Sequence, residues 1–372
     1  MGHKSLFRNI LRPILYGALL SLCTACSDDP IVENIHTICP PPLEPPTLEE
    51  NRTAWKEARL GLFIHYGVYS GLGGEYIGPD IYGENKIFQS YGNLNTTEAT
   101  QIGSGLGAEW IMDEALIPKE NYRTYASRFT ADRFDPQEIV ATAKKAGMRY
   151  IILTAKHHEG FCLWDSETTD WDITATPASQ RWGESNDLIG ALAQATRDAG
   201  LMFGIYFSEF RDWMYPGAPL PIAEVVPEGY TEEEQRQYME RYTYPMITEL
   251  MERYNPDIFW WDGTFDNAEF AAFCDSIVRS YNNGATLQND RLSPATGYAG
   301  DFATPEQSMD EESVSENSEL CMTINGSWGY NQFDTNWKQP AYILYSILRA
   351  QKLGCNLLLN IGPKADGSHS RR

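Results

Sequence analysis

Residues 255–263 read Asn-Pro-Asp-Ile-Phe-Trp-Trp-Asp-Gly. Asn255-Pro256 stops a helix, and the four apolar residues that follow, Ile258 to Trp261, are the pattern of a buried strand. Asp262 ends that run, beside two tryptophans and directly before Gly263. A carboxylate leaving a buried strand either finds hydrogen-bond partners or meets a ligand, because an unpaired buried charge costs roughly several kcal/mol. Such an acid is well placed to be an enzyme's nucleophile; the alternative is a structural aspartate capping a turn.

Outward from this strand, apolar runs alternate with amphipathic segments. Strands are expected at Leu62–His65, Tyr150–Ala155, Leu201–Phe207, Ile258–Trp261, Ala285–Gln288 and Asn356–Ile361. Helices are expected at Pro136–Ala146, Asp187–Ala199, Glu232–Tyr254, Ala268–Tyr281 and Gln339–Leu353. Asp135-Pro136 and Ser185-Asn186-Asp187 read as N-terminal caps, Gly147 and Gly200 as C-terminal stops. This alternation argues for a parallel α/β fold, and no Gly-rich dinucleotide loop or P-loop follows any strand. Polar residues instead cluster just past the strand ends: His65, His157 with His158, Ser208 with Glu209, Asp262, and Asn289 with Asp290 and Arg291. That rim is where sites are built in a (β/α)8-type, TIM-like barrel, the expected fold, with irregular strands.

The ends of the chain are different material. Lys4, Arg8 and Arg12 precede an apolar run, Ile14 to Leu22, and then Cys23-Thr24-Ala25-Cys26. A basic start and an apolar segment too short to span a bilayer read as a secretory signal over residues 1–25. The small residues before Cys26 resemble a bacterial lipobox, so Cys26 is the expected lipidated N-terminus and the only expected membrane attachment. The acidic Ser27-Asp28-Asp29 resembles a surface-export tag, which makes the expected location that of an exported outer-membrane lipoprotein, periplasmic or cell-surface. Residues 26–50, rich in proline and acid, read as a linker, residues 51–367 as the catalytic barrel and 368–372 as a short tail. The formal net charge of −22, more negative still once the basic leader is removed, makes the chain a poor nucleic-acid binder, and no nucleic-acid partner is expected. Cys39, Cys162, Cys274, Cys321 and Cys355 are scattered without metal spacing and are expected to be mostly buried free thiols.

His157 and His158 close the strand at 150–161 (YIILTAKHHEGF), and because neighbouring strand residues point to opposite sides, at least one of them faces the barrel mouth. His65 is analogous, a site donor or a satisfied core histidine. Glu109-Trp110, in a loop, pairs an acceptor with a stacking ring. No further ligands recur at metal spacing, so neither metal nor cofactor is expected, although a metal-dependent barrel hydrolase using His65, His157 and His158 is one competing reading. Aromatic residues make up 12% of the chain and many sit at strand ends, a composition common where sugar faces stack on rings and also in large cores.

Together these segments resemble the α-L-fucosidases of glycoside hydrolase family 29. The matching strings are ARLGLFIHYGVYS (58–70), Glu109-Trp110, LTAKHHEGFCLWDSETTDW (153–171), GIYFS (204–208), NPDIFWWDG (255–263), NDR (289–291), GDFATPE (300–306), CMTINGSWGY (321–330) and LLLNIGPKADG (357–367). The resemblance implies a retaining exo-glycosidase that removes terminal α-L-fucose from a fucosylated oligosaccharide or glycoconjugate, with Asp262 as nucleophile. It implies a carboxylic acid partner, for which Glu319 is chosen because the family has a Trp-Glu pair before the CMTINGSWGY string; here Ser318 replaces that tryptophan. The rivals are Glu306 and the cluster Glu311, Glu312 and Glu316, which reads as a solvated loop. His65, Glu109, His157 and His158 would bind the fucose hydroxyls. Trp110, Tyr206 and Trp260 would lie against ring faces or the C5 methyl, and Trp328 and Tyr330 would wall the methyl pocket or belong to the core. Arg291 would reach a hydroxyl, orient Asp262, or pair with Asp290 or Asp301. Family members usually continue into a C-terminal β-sandwich that this sequence lacks, which leaves a barrel alone or a truncated chain. A glycan-binding lipoprotein that keeps the pocket without catalysis is the alternative function.

Overall fold

The computed structural model describes residues 46–90, 107–182, 187–215, 231–263, 267–309 and 314–369. The leader, Cys26, most of the linker, Cys39, Ser185-Asn186, and Glu311 with Glu312 lie outside the described residues.

The strands are β1 (Leu60–Ile64), β2 (Glu75–Pro79), β3 (Asn85–Gln89), β4 (Tyr150–Lys156), β5 (Met202–Ser208), β6 (Ile258–Asp262), β7 (Leu287–Gln288), β8 (Glu319–Thr323) and β9 (Asn356–Ile361). Seven of them form one parallel sheet in the order β7-β6-β5-β4-β1-β9-β8, while β2 and β3 pair as a separate antiparallel hairpin. Between the sheet's edges, β7 and β8, lies the pair Phe302-Ala303. Phe302 bridges Asn289 and Ala303 bridges Ser318, both in parallel sense. Asp301 N donates to Gln288 O at 2.6 Å and Glu319 N to Ala303 O at 2.8 Å. This short segment stands in for an eighth strand, so the curled sheet closes as the irregular barrel expected.

Side-chain alternation sorts the strands into two layers. Ile258 and Trp260 of β6 point inward and share the barrel interior with Phe63, Tyr150, Ile152, Tyr206, Cys321 and Leu358. Phe259 and Trp261 point outward into the layer under the helices, with Leu62, Ile151, Phe203 and Phe207. The interior is crowded: a Cβ on Gly61 would lie 2.3 Å from the Tyr150 ring, so glycine there is what admits the tyrosine.

The helices fall close to expectation, at Pro136–Lys145, Leu188–Asp198, Ala268–Arg279 and Pro340–Leu353. Asp135 caps by accepting from Gln137 N and Glu138 N, and Asp187 by accepting from Ile189 N. The long helix expected over Glu232–Tyr254 is interrupted by a π turn at Met239–Thr243, because Pro245 has no N–H to return to the preceding turn. A further helix, Leu48–Ala58, extends the folded unit three residues into the expected linker; its start is a capping box of Thr47 and Glu50. Cys162, Cys274, Cys321 and Cys355 are buried free thiols.

Candidate active site

Asp262 is the last residue of β6, where the backbone has risen from the barrel interior to its C-terminal mouth. Its Oδ2 accepts from the Tyr206 hydroxyl at 2.6 Å and lies 3.7 Å from His158 Nε2, while its Oδ1 faces Arg291 Nη1 at 3.3 Å. Burial alone would push this carboxyl up, but the Arg291 charge and the Tyr206 hydrogen bond outweigh it and hold it below the usual carboxylate range. The group is therefore ionised at neutral pH. Gly263 turns the chain away with φ of 66°; a Cβ there would come within 2.4 Å of Ser208 Oγ and 3.2 Å of His158 Nδ1, in the way of the hydrogen bond those atoms share.

Arg291 joins two acids. Its Nη2 lies 2.9 Å from Glu306 Oε2 while Nη1 serves Asp262. Bonds from Nε to Thr304 Oγ1 and from Nη2 to Thr304 O fix the guanidinium, which sits 4.6 Å over the Trp260 ring. Glu306 follows the closing segment Phe302-Ala303, and its side chain is 42% exposed. One planar guanidinium thus spans two carboxylates at the same cavity wall.

The cavity, about 270 Å³, is lined by these groups together with His65, Glu109, Trp110, His157, His158, Tyr206, Trp260 and Trp328. That is the volume of about nine waters, room for one sugar ring with its hydroxyls. Each histidine has its Nδ1 turned into the protein: His65 to Asn360 Oδ1 at 2.6 Å, His158 to Ser208 Oγ at 2.8 Å, His157 toward Glu159 Oε2 at 3.7 Å. Their Nε2 edges are left for the cavity. Burial holds all three imidazoles neutral, His65 down at about 4 and the other two well below the usual range. Glu109 Oε2 accepts from Gly329 N at 2.8 Å, whereas its Oε1 is buried with no hydrogen-bond partner among the described residues. Burial raises this carboxyl to about 7. A buried acceptor left open on a cavity wall is matched to a hydroxyl donor.

All nine residues expected to bind substrate, and Asp262, therefore meet at one cavity; Glu319 does not. It opens β8, four residues below the mouth, fully buried, and accepts from the indoles of Trp55 at 3.2 Å and Trp260 at 2.9 Å. Trp260, which lines the cavity, hydrogen-bonds Glu319 from the cavity side, and Glu319 itself is no part of the cavity wall. The motif that follows Glu319 made it attractive, but a strand's first residue points into the base of a barrel, where packing is decided. Tyr206 holds Asp262 by its hydroxyl, with its ring stacked between His157 and Trp260 rather than open to a sugar face. Arg291 takes Asp262 and Glu306 as partners; Asp301 pairs with Arg52 and Arg279, and Asp290 accepts from Thr304. Tyr330 lies under Lys364 in a separate small cavity and is no part of this wall. Arg211, which does line the cavity, went unread because the segment after GIYFS carries no spacing signal.

Comparison with known proteins agrees with this geometry. The profile of the family described as Alpha-L-fucosidase matches residues 41–372. The "Tissue alpha-L-fucosidase" of Rattus norvegicus is 30% identical over 329 residues, 84% of this chain and 63% of that protein. The "Putative alpha-L-fucosidase" of Caenorhabditis elegans is 28% identical over 325 residues, 84% of this chain and 61% of its own length, so the chain spans less than two thirds of either relative. Among solved structures, alpha-L-fucosidase AlfC from Lactobacillus casei in complex with alpha-L-fucose product superposes with a TM-score of 0.68 at 30% identity, over 86% of this chain and 94% of that one. With the barrel, the mouth-facing carboxylates and these matches together, the chain belongs to the alpha-L-fucosidase family.

Proposed function

We propose that the protein is a retaining α-L-fucosidase in which Asp262 is the nucleophile and Glu306, in place of Glu319, is the acid and base. The observation that carries this reading is the single guanidinium of Arg291 tethering both carboxylates at the wall of a monosaccharide-sized cavity. In the first step Glu306 protonates the glycosidic oxygen as Asp262 attacks the anomeric carbon, so the leaving alcohol departs and a fucosyl ester forms. In the second, Glu306 takes a proton from water, whose oxygen displaces Asp262 and releases fucose with its original configuration. His65, His157, His158 and the open Oε1 of Glu109 bind the ring hydroxyls, and Trp110, Trp260 and Trp328 line its apolar faces. The substrate class, a fucosylated glycan, is supported by the relatives' names and by the complex of an AlfC variant with Fuca(1,6)GlcNAc.

Proton NMR of the first-formed product tests the reaction: α-L-fucose must appear before mutarotation. Initial β-L-fucose would sink the double displacement, and fucose binding without release would make the protein a glycan-binding module. For location we keep the lipid anchor at Cys26 outside the cytoplasmic membrane. Membrane fractionation of Cys26→Ser tests it, since an anchored protein must move to the soluble fraction.

A further inference from the structure

A second arginine lines the cavity, and the reaction above leaves it unused. The Arg211 guanidinium lies 4.9 Å from the centre of the Trp110 ring. Three ties hold its loop. Arg211 N donates to Gly263 O at 3.1 Å, directly after the nucleophile, and Trp213 N donates to His158 O at 2.8 Å. Between them Asp212 turns inward, 3.6 Å from the fully buried Lys156 Nζ, and accepts from the Tyr238 hydroxyl at 3.0 Å. Asp212 thus anchors the loop from beneath and leaves Arg211 set in place at the cavity wall.

Unlike Arg291, this guanidinium makes no ion pair and donates no hydrogen bond among the described residues. Stacking on an indole occupies a guanidinium's flat face but leaves its in-plane fork of N–H donors free, the geometry that grips an oxyanion with two parallel bonds. A partly buried cation with no countercharge forfeits solvation that a ligand's negative charge returns.

Strand order says which part of the ligand Arg211 meets. Its loop follows β5, on one flank of β6; Arg291 and Glu306 follow β7, on the other. A leaving group has to lie beside the proton donor, on the Glu306 flank. Arg211, across Asp262 from it, faces the fucosyl ring. We infer that Arg211 forms a subsite for an anionic substituent on the ring itself, a sulfate ester, and so determines a preference for ring-sulfated α-L-fucosides. This rests on the glycosidase reading above.

The test compares aryl α-L-fucosides that are unsulfated or carry one sulfate at O2, O3 or O4. For at least one sulfated isomer, Arg211→Met should lower the ratio of kcat/KM on the sulfated over the neutral substrate by about 10–100-fold, the worth of a charge-assisted hydrogen-bond pair; Arg211→Lys should restore part of it. Binding needs no turnover: calorimetry on Asp262→Asn should show one sulfated L-fucose bound more tightly than L-fucose, a preference lost when Arg211→Met is added. An unchanged ratio in Arg211→Met, no isomer bound better than fucose, or a preference that follows a carboxylate or sulfate on the leaving sugar would each overturn the inference. A wild type that cleaves nothing yet keeps the binding preference would sink the reaction and leave the subsite standing.

Discussion

Two carboxylates inside one barrel, Asp262 at its mouth and Glu319 at its base, are separated by little more than the Trp260 ring. Both accept from aromatic neighbours, Asp262 from the Tyr206 hydroxyl and Glu319 from the indoles of Trp55 and Trp260. They differ in what else surrounds them. The Asp262 side chain is 24% exposed and faces Arg291, which keeps it ionised. Glu319 is wholly buried, and burial pushes its carboxyl above the usual range. A reacting group needs access and a countercharge; a bracing group needs only satisfied hydrogen bonds. Trp260 belongs to both, one edge tied to Glu319 and its face under Arg291. The base of the barrel thereby sets the height of the floor on which Arg291 rests.

The comparison breaks or holds most sharply at the mouth. Asp262→Asn should lower kcat by at least ~10⁴-fold with an unchanged melting temperature, the scale of losing a nucleophile. Glu306→Gln should cost about 10²–10⁴-fold in kcat/KM on a fucosyl disaccharide, and far less on an aryl fucoside whose leaving group departs without a proton. At the base the expected signature is reversed. Glu319→Ala strands two indole N–H groups, at about 1–3 kcal/mol each, and should lower the urea midpoint; Glu319→Gln keeps an acceptor for only one of the two indoles, since an amide nitrogen cannot accept, and should lower the midpoint less while the folded protein keeps its activity. If Glu319→Gln instead loses disaccharide activity at unchanged stability while Glu306→Gln does not, the acid belongs to Glu319. The smallest effect is a shift in pH. In the proposed mechanism Asp262 attacks as a carboxylate, and the Arg291 charge and the Tyr206 hydrogen bond hold its pKa down, so activity should persist to low pH. Arg291→Met should move the acidic limb of kcat/KM upward by about 1–3 units, besides lowering its plateau; an unmoved limb would mean that Tyr206 alone keeps Asp262 ionised.

Much of the fold was legible locally. Asn356–Ile361 runs as expected, and the caps Asp135 and Asp187 mark where their helices start. The closing pair Phe302-Ala303 was not, because two residues have no period to detect. Helix Leu48–Ala58 was hidden behind a proline-rich prelude, although Thr47-Leu-Glu-Glu50 is a capping-box signature. In the site, His65, His157, His158 and Asp262 could be found because each ends an apolar run, and a run's end is visible in one dimension. Glu319 begins its strand, and the sequence around it does not say which end of the barrel that beginning faces.

By itself, then, the sequence determined the alternation of strands and helices, the family, and the acid at the end of β6, since these depend on residues close together along the chain. The tertiary structure alone decided which second carboxylate shares the cavity wall with Asp262 and Arg291, that the Tyr206 hydroxyl is taken by Asp262, and that the Arg211 guanidinium pairs with no acid among the described residues. Those outcomes depend on residues 29 to 101 positions apart being brought within a few ångströms by barrel closure, such as Arg291 and Asp262 or Arg211 and Trp110. Distance through space, not order along the chain, sets the charge and access on which the chemistry depends.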